Sequence, residues 1–238
     1  MDYSLDKIGI REIKLKLNSI REAARMGSVL AEACLGHLFD SGIGVRKDLT
    51  KAVFWYQIAG RHNNAHAQSW LGYAYANGAG VKKNLAKALF WDRKAARQGY
   101  AVAQYNLGQA YAEGLGINQN VSRAVWWWHR SALQGHAFAQ CNLGKTYETG
   151  GGVKRNLSEA IKWYRKAADQ GDGVASYNLG RCFAAGFGVR KNKQKAITWF
   201  RRAARAGFTK ANPKLTELNN FSLRKGSVRS IDTKPARR

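Results

Sequence analysis

Proline occurs only twice in these 238 residues, and acids are scarce, with 15 Asp plus Glu against 40 Lys plus Arg and a formal charge of +25. So few prolines leave nearly every backbone N–H free to bond, which suits a mostly helical chain. Cysteine is also sparse. Cys34, Cys141 and Cys182 are odd in number and share no common spacing, so no disulfide framework is expected and a reducing compartment suits them. They read as small core residues. No apolar run approaches the roughly 18 residues that a membrane-spanning helix needs. The opening Met1-Asp2-Tyr3-Ser4-Leu5-Asp6 carries acids where a secretory signal would have a basic start and an apolar stretch, so a cytoplasmic location is expected. What is plentiful is hydrophobic residues (45%), Gly (25) and Trp (8), the composition of a folded protein of one or two domains.

The glycines are explained by repetition. Leu-Gly recurs at Leu35-Gly36, Leu71-Gly72, Leu107-Gly108, Leu143-Gly144 and Leu179-Gly180, always 36 residues apart. An aromatic follows three residues after each Gly: Phe39, Tyr75, Tyr111, Tyr147 and Phe183. Next come Gly-x-Gly-Val or Gly-x-Gly-Ile, a short polar residue (Asp48, Asn84, Asn120, Asn156, Asn192), an Ala four later, and a Trp (Trp55, Trp91, Trp127, Trp163, Trp199). Five copies in one register without an insertion define a repeat array.

Each copy reads as two antiparallel helices. Ala67, Trp70, Leu71 and Tyr75 fall on one face of a first helix, and Leu85, Ala88, Leu89, Trp91, Ala95 and Ala96 form the buried stripe of a second. The first Gly of Gly-x-Gly suits a left-handed helix end, and the Asp or Asn that follows suits an N-cap. The Gly after Leu removes a side chain and so admits a neighbouring helix. Because one such pair cannot bury both faces, successive pairs must stack. Ala23-Ala24 and Gly27 extend the register upstream as a half-repeat within 1–27. Ala211 and Leu215 extend it downstream, although Thr216 replaces the Gly. The expected organisation is 1–27 with a half-repeat helix, five repeats over 28–207, a cap helix over 208–221, and a basic tail over 222–238.

This pattern resembles the Sel-one-like repeat family, cousins of the tetratricopeptide repeats. Asn106-Leu107-Gly108, Tyr111, Gly114-Leu115-Gly116-Ile117, and Lys162-Trp163-Tyr164 through Ala167-Ala168 carry the likeness, which extends over about residues 28–207. The resemblance implies an all-α fold, a right-handed α-solenoid of stacked helix-turn-helix units, used mainly as an adaptor that holds other proteins together. Family members with paired cysteines in every repeat have been assigned β-lactam binding or hydrolysis; this chain lacks those pairs and any Ser-x-x-Lys set.

Catalytic sets are not apparent. His37, His62, His66, His129 and His136 form no metal-ligand pattern, and His62 and His66 straddle a turn. The Gly-x-Gly segments follow helices, not strands, and recur five times, so they are turns rather than nucleotide loops. No enzyme activity, cofactor or metal is expected. The Trp column falls on an inward-facing position and reads as core. Trp126 and Trp128 flank Trp127 and cannot share its face, so at least one of them is exposed or packed between repeats, an anchor candidate.

By the tetratricopeptide likeness, first helices line a concave groove. Its positions are Leu30, His66, Val102, Phe138 and Val174; then Ser69, Tyr105, Cys141 and Tyr177; then His37, Tyr73, Gln109, Lys145 and Arg181. Asn106, Asn142 and Asn178 lie beside them, either as peptide-backbone partners or as braces between helices. Tyr gives contact area at little entropy cost, and amides can pair with an extended peptide. Charge is the second signal. Residues 28–207 hold 26 Lys or Arg and 9 Asp or Glu, and no acid occurs from Gly173 to Thr216. Arg190, Lys191, Lys193, Lys195, Arg201, Arg202 and Arg205 make that stretch a basic patch. The expectation is a monomeric, noncatalytic scaffold for a protein or peptide partner, with the basic end favouring an acidic one. The alternative is nucleic-acid or anionic-surface binding through the same basic face.

Overall fold

The computed structural model describes residues 16–218. The expected basic tail, the end of the cap helix and the start of the N-terminal segment fall outside these described residues. Among them, all regular structure is helical. Helix α1 covers 16–25. It is followed by α2 (Val29–Ser41), α3 (Leu49–Arg61), α4 (Ala65–Asn77), α5 (Leu85–Arg97), α6 (Ala101–Glu113) and α7 (Val121–Leu133). Then come α8 (Ala137–Thr149), α9 (Leu157–Asp169), α10 (Gly173–Ala185) and α11 (Lys193–Arg205), and α12 over 211–218. From α2 to α11 every helix has 13 residues, and the Gly that ends each first helix and the Asp or Asn that starts each second helix recur in every copy.

The second helices start on side-chain caps. Asp48, Asn84, Asn120, Asn156 and Asn192 each accept from the backbone N–H three residues on, at 2.8–3.1 Å. Each such cap contributes about 1 kcal/mol. The same five residues donate their own N–H to the carbonyl of the repeat aromatic, Phe39, Tyr75, Tyr111, Tyr147 or Phe183, all at 2.8 Å. One short polar residue therefore starts the second helix and pins it to the end of the first. The stops are left-handed. Gly78, at φ 76°, donates its N–H to the Ala74 carbonyl and closes α4. Gly80, at φ 70°, is constrained by packing as well, since a β-carbon there would collide with the main chain of Leu49, the first residue of α3. The second Gly of the turn is what lets one hairpin settle onto the hairpin before it.

The repeats pack as two compact units, one up to Ser131 and one from Ala132. In the first, the Leu-Gly positions of α2, α4 and α6 receive Tyr56, Asp92 and Trp128 from α3, α5 and α7. In the second, those of α8 and α10 receive Tyr164 and Phe200 from α9 and α11. A β-carbon on Gly36 or Gly180 would stand 2.7 Å from the ring of Tyr56 or Phe200. The missing side chain is thus filled by the residue after Trp, which corrects the expectation for the Trp column. Trp55, Trp91, Trp127 and Trp199 are only half-buried, and Trp163 alone of the five is buried. Helical geometry explains it. Ala52, Tyr56 and Ala59, at i, i+4 and i+7, centre the buried stripe of α3, and Trp55 lies at its edge.

A second brace is polar. Gln68 donates to the Gly60 carbonyl at 2.9 Å, Gln104 to Ala96 at 3.3 Å and Gln140 to Ala132 at 3.1 Å, all three glutamines being buried. Gln98 and Gln170 in turn donate to the side-chain oxygens of Gln68 and Gln140. Cys141 and Cys182 are buried and Cys34 half-buried, all free thiols. Burial pushes the Cys182 thiol up to about 11, which keeps it protonated and unreactive.

Candidate functional site

The first helices bury Ala67, Leu71 and their equivalents and turn another face outward, where a regular feature stands out. Leu30 is 72% exposed and Phe138 61% exposed, and Val102, Val174 and His66 at the same repeat position are exposed too. In the first unit, Leu30 and His66 help to line a hollow of about 410 Å³ together with Ile20, Cys34 and His37. In the second, Phe138 and Val174 line one of about 380 Å³ with Gly171 and Phe208. Desolvation of the ring in this hollow, with His37 adding to it, lowers the His66 pKa.

The other expected groove positions divide. Ser69 and Cys141 are buried, and Tyr105 and Tyr177 are half-buried. Tyr177 stacks at a tilt on Phe200 and Phe208, with centroids 5.4 and 5.1 Å away. Tyr73 and Lys145 are exposed, and Gln109 is half-buried and donates to Glu113 at 3.1 Å. Asn106, Asn142 and Asn178 are half-buried. Asn106 donates to Asp92 at 3.3 Å, and Asn178 accepts from Arg181 at 3.3 Å. Arg181 also pairs with Glu148 at 3.3 Å, and Glu148 accepts from the Tyr164 hydroxyl at 2.7 Å. Burial, reinforced by Glu148, raises the Tyr164 pKa. Arg181 is accordingly committed within the second unit rather than offered freely to a partner.

The basic residues separate into two groups. Arg190, Lys191 and Lys195 line a hollow of about 530 Å³ together with Arg165 and Asn192. Arg165 had no sequence signal linking it to the others; α9 brings it to the turn before α11. On α11 itself Arg201, Arg202 and Arg205 are exposed and Lys193 is half-buried. Arg202 lies over the Trp199 ring at 4.6 Å and pairs with Asp169 at 3.5 Å. Of the tryptophans flanking Trp127, Trp128 is buried against Gly108, whereas Trp126 is 52% exposed under the Arg130 guanidinium. Among the described residues no group of three or more His, Cys, Asp or Glu could hold a metal ion, and no helix is long and apolar enough to cross a membrane.

The model of the Sel1 repeat matches residues 30–64, 65–100, 101–136, 137–172 and 173–208. The chain belongs to the Sel1 repeat family. Among solved structures, this Sel1 repeat chain is similar to c5321, a protective antigen of uropathogenic Escherichia coli displaying an SLR fold. That likeness has a TM-score of 0.80 and 34% identity over 86% of this chain and 44% of the other. It is also similar to a Sel1 repeat protein from Oxalobacter formigenes, with a TM-score of 0.74 and 32% identity over 85% of this chain and 86% of the other. The immunity protein Pa5087 from Pseudomonas aeruginosa, at 24% identity, TM-score 0.53, and 80% and 73% coverage, shares the fold. The chain spans less than half the length of c5321. No curated protein sequence matches it. Sel1 repeat proteins are helical solenoids that generally serve as noncatalytic scaffolds for protein interaction.

Proposed function

We propose that this Sel1 repeat protein is a noncatalytic scaffold whose outward first-helix side chains hold a partner protein or peptide, with the basic end favouring an acidic partner. The observation that carries this is the in-register exposure of Leu30, Val102, Phe138 and Val174. Large apolar side chains left in water at one repeat position mark a surface for association, since folding alone would not keep them there. The acidic preference rests on Arg165, Arg190, Lys191 and Lys195 around one hollow without a carboxylate among its lining residues. Potentials of that sign steer association and select against basic surfaces.

The test is affinity capture with the full chain, followed by titration with the purified partner. Phe138→Ser combined with Val174→Ser should weaken binding roughly tenfold or more, as loss of buried anchors does. Arg190→Glu with Lys191→Glu should slow association and flatten its salt dependence. A partner bound equally by both variants would overturn the proposal. The same basic hollow supports a second reading, binding of nucleic acid. A gel shift at near-physiological salt that disappears in the charge-reversed variant would favour it, and failure to shift would remove it.

A further inference from the structure

Four of the five Leu-Gly positions are covered by an aromatic ring; the fifth, Gly72, is covered by the carboxylate of Asp92. Asp92 is 7% exposed, and among the described residues its one side-chain hydrogen bond is with the Asn106 amide, at 3.3 Å. A carboxylate is smaller than the rings of Tyr56 or Tyr164, and beside it lies a cavity of about 160 Å³, roughly five water volumes. Tyr73, Asn77, Asn106 and Gln109 supply polar groups at its wall, while Leu85, Leu89 and Leu115 supply apolar ones. Although the chain carries 40 Lys and Arg, none among the described residues lines this cavity. A buried carboxylate is costly unless a cation or several donors meet it.

We propose that the Asp92 cavity is a binding site for a primary alkylammonium group, the end of a lysine side chain on a bound polypeptide. The apolar wall takes the alkyl stem, and the carboxylate, with the amide oxygens of Asn106 and Gln109, accepts from the three N–H bonds of the ammonium. A guanidinium fits less well, because its planar fork needs a wider opening than a stem does. The state of Asp92 agrees. Burial pushes its carboxyl up to about 7, and a bound ammonium would keep it ionised at neutral pH. Tyr73 is the other titratable side chain at the cavity wall. As a polypeptide site this rests on the scaffold reading. Its chemistry is independent of the acidic preference assigned to Arg190 and Lys191.

The experiment titrates the ¹⁵N-labelled full chain with acetyl-Gly-Lys-Gly-amide, with the norleucine analogue of that peptide, and with n-butylammonium. The lysyl peptide should shift the amides of Gly72, Tyr73, Asn106 and Gln109 saturably, and n-butylammonium should do so more weakly. The norleucine peptide should leave them in place. Asp92→Asn, which keeps the shape, should weaken the lysyl peptide about tenfold or more, as loss of a charge-assisted bond does. Asp92→Tyr, which restores the ring found in α3 and α9, should abolish binding while the chain stays folded. Equal shifts with the norleucine peptide, or undiminished binding to Asp92→Asn, would overturn the inference. So would shifts with n-butylammonium but none with the lysyl peptide. Loss of partner binding in the Phe138/Val174 variant, together with no lysyl shift, would sink this site and leave the scaffold reading standing. The opposite pair of results would do the reverse.

Discussion

The hairpin α4–α5 and the hairpin α8–α9 start from the same plan and resolve it differently. In the second, the Tyr164 ring lies over Gly144, and its hydroxyl donates to Glu148, which also holds Arg181. Ring, acid and cation pack together over the glycine. In the first, Asp92 over Gly72 leaves a cavity, and Ala76 stands where Glu148 stands in the other. A repeat array thus tolerates a hairpin in which stability is given up locally, because its neighbours within the unit keep their rings. That is where a ligand site can form without endangering the fold.

The largest test of this contrast is truncation. Tyr164→Ala should cost about 3–5 kcal/mol in urea denaturation, the loss of a fully buried aromatic together with its hydroxyl bond to Glu148. Asp92→Ala at neutral pH should cost little or even stabilise, because it removes a buried carboxylate that lacks a cation. Comparable losses in the two variants would erase the distinction.

Next in size is the pH response of Asp92. Its carboxyl, ordinarily near 3.8, sits at about 7 in the folded chain, because burial outweighs the hydrogen bond from Asn106. The folded state therefore binds the proton more tightly than the unfolded state between about pH 4 and pH 7, and stability falls as pH rises through that window. The full effect is on the order of 4 kcal/mol. Asp92→Asn has no such proton to lose, so its advantage over the wild-type chain should grow from pH 4 to pH 7 and then level off. A constant difference across that range would mean that water reaches the carboxylate.

Much of this was legible in the sequence, and the exceptions have physical causes. Leu-Gly, Gly-x-Gly and the capping Asp or Asn are local signals, since backbone geometry demands those residues wherever the turn occurs, and they set the helix limits. The Trp column misleads because the most conspicuous residue of the second helix is not its central one. Counting from Ala52 and Ala59 instead picks out Tyr56, Asp92, Trp128, Tyr164 and Phe200, and only then does Asp92 stand out. The buried Gln68, Gln104 and Gln140 recur just as regularly, but their role depends on a carbonyl of the preceding helix. Arg181 reads as a free cation in the sequence because Glu148 is 33 residues away. Arg165 joins the basic hollow for the same reason, through packing rather than spacing.

The smallest expected effect is also the sharpest comparison, because it changes one methyl group in each hairpin. Replacing either helical glycine by alanine should gain about 1 kcal/mol of helix propensity. At Gly144 the new β-carbon meets the Tyr164 ring, which is packed on all sides, and overpacking costs about 1–3 kcal/mol. Gly144→Ala should therefore be net destabilising, by about 1 kcal/mol. At Gly72 the β-carbon meets the end of the Asp92 side chain, and the adjoining cavity gives that carboxylate room to turn aside. Gly72→Ala should then be neutral or slightly stabilising, read as a shift in urea midpoint at unchanged slope. Equal destabilisation at both glycines would show that Asp92 is held as rigidly as a ring, and a carboxylate so fixed would have no freedom to close around an ammonium.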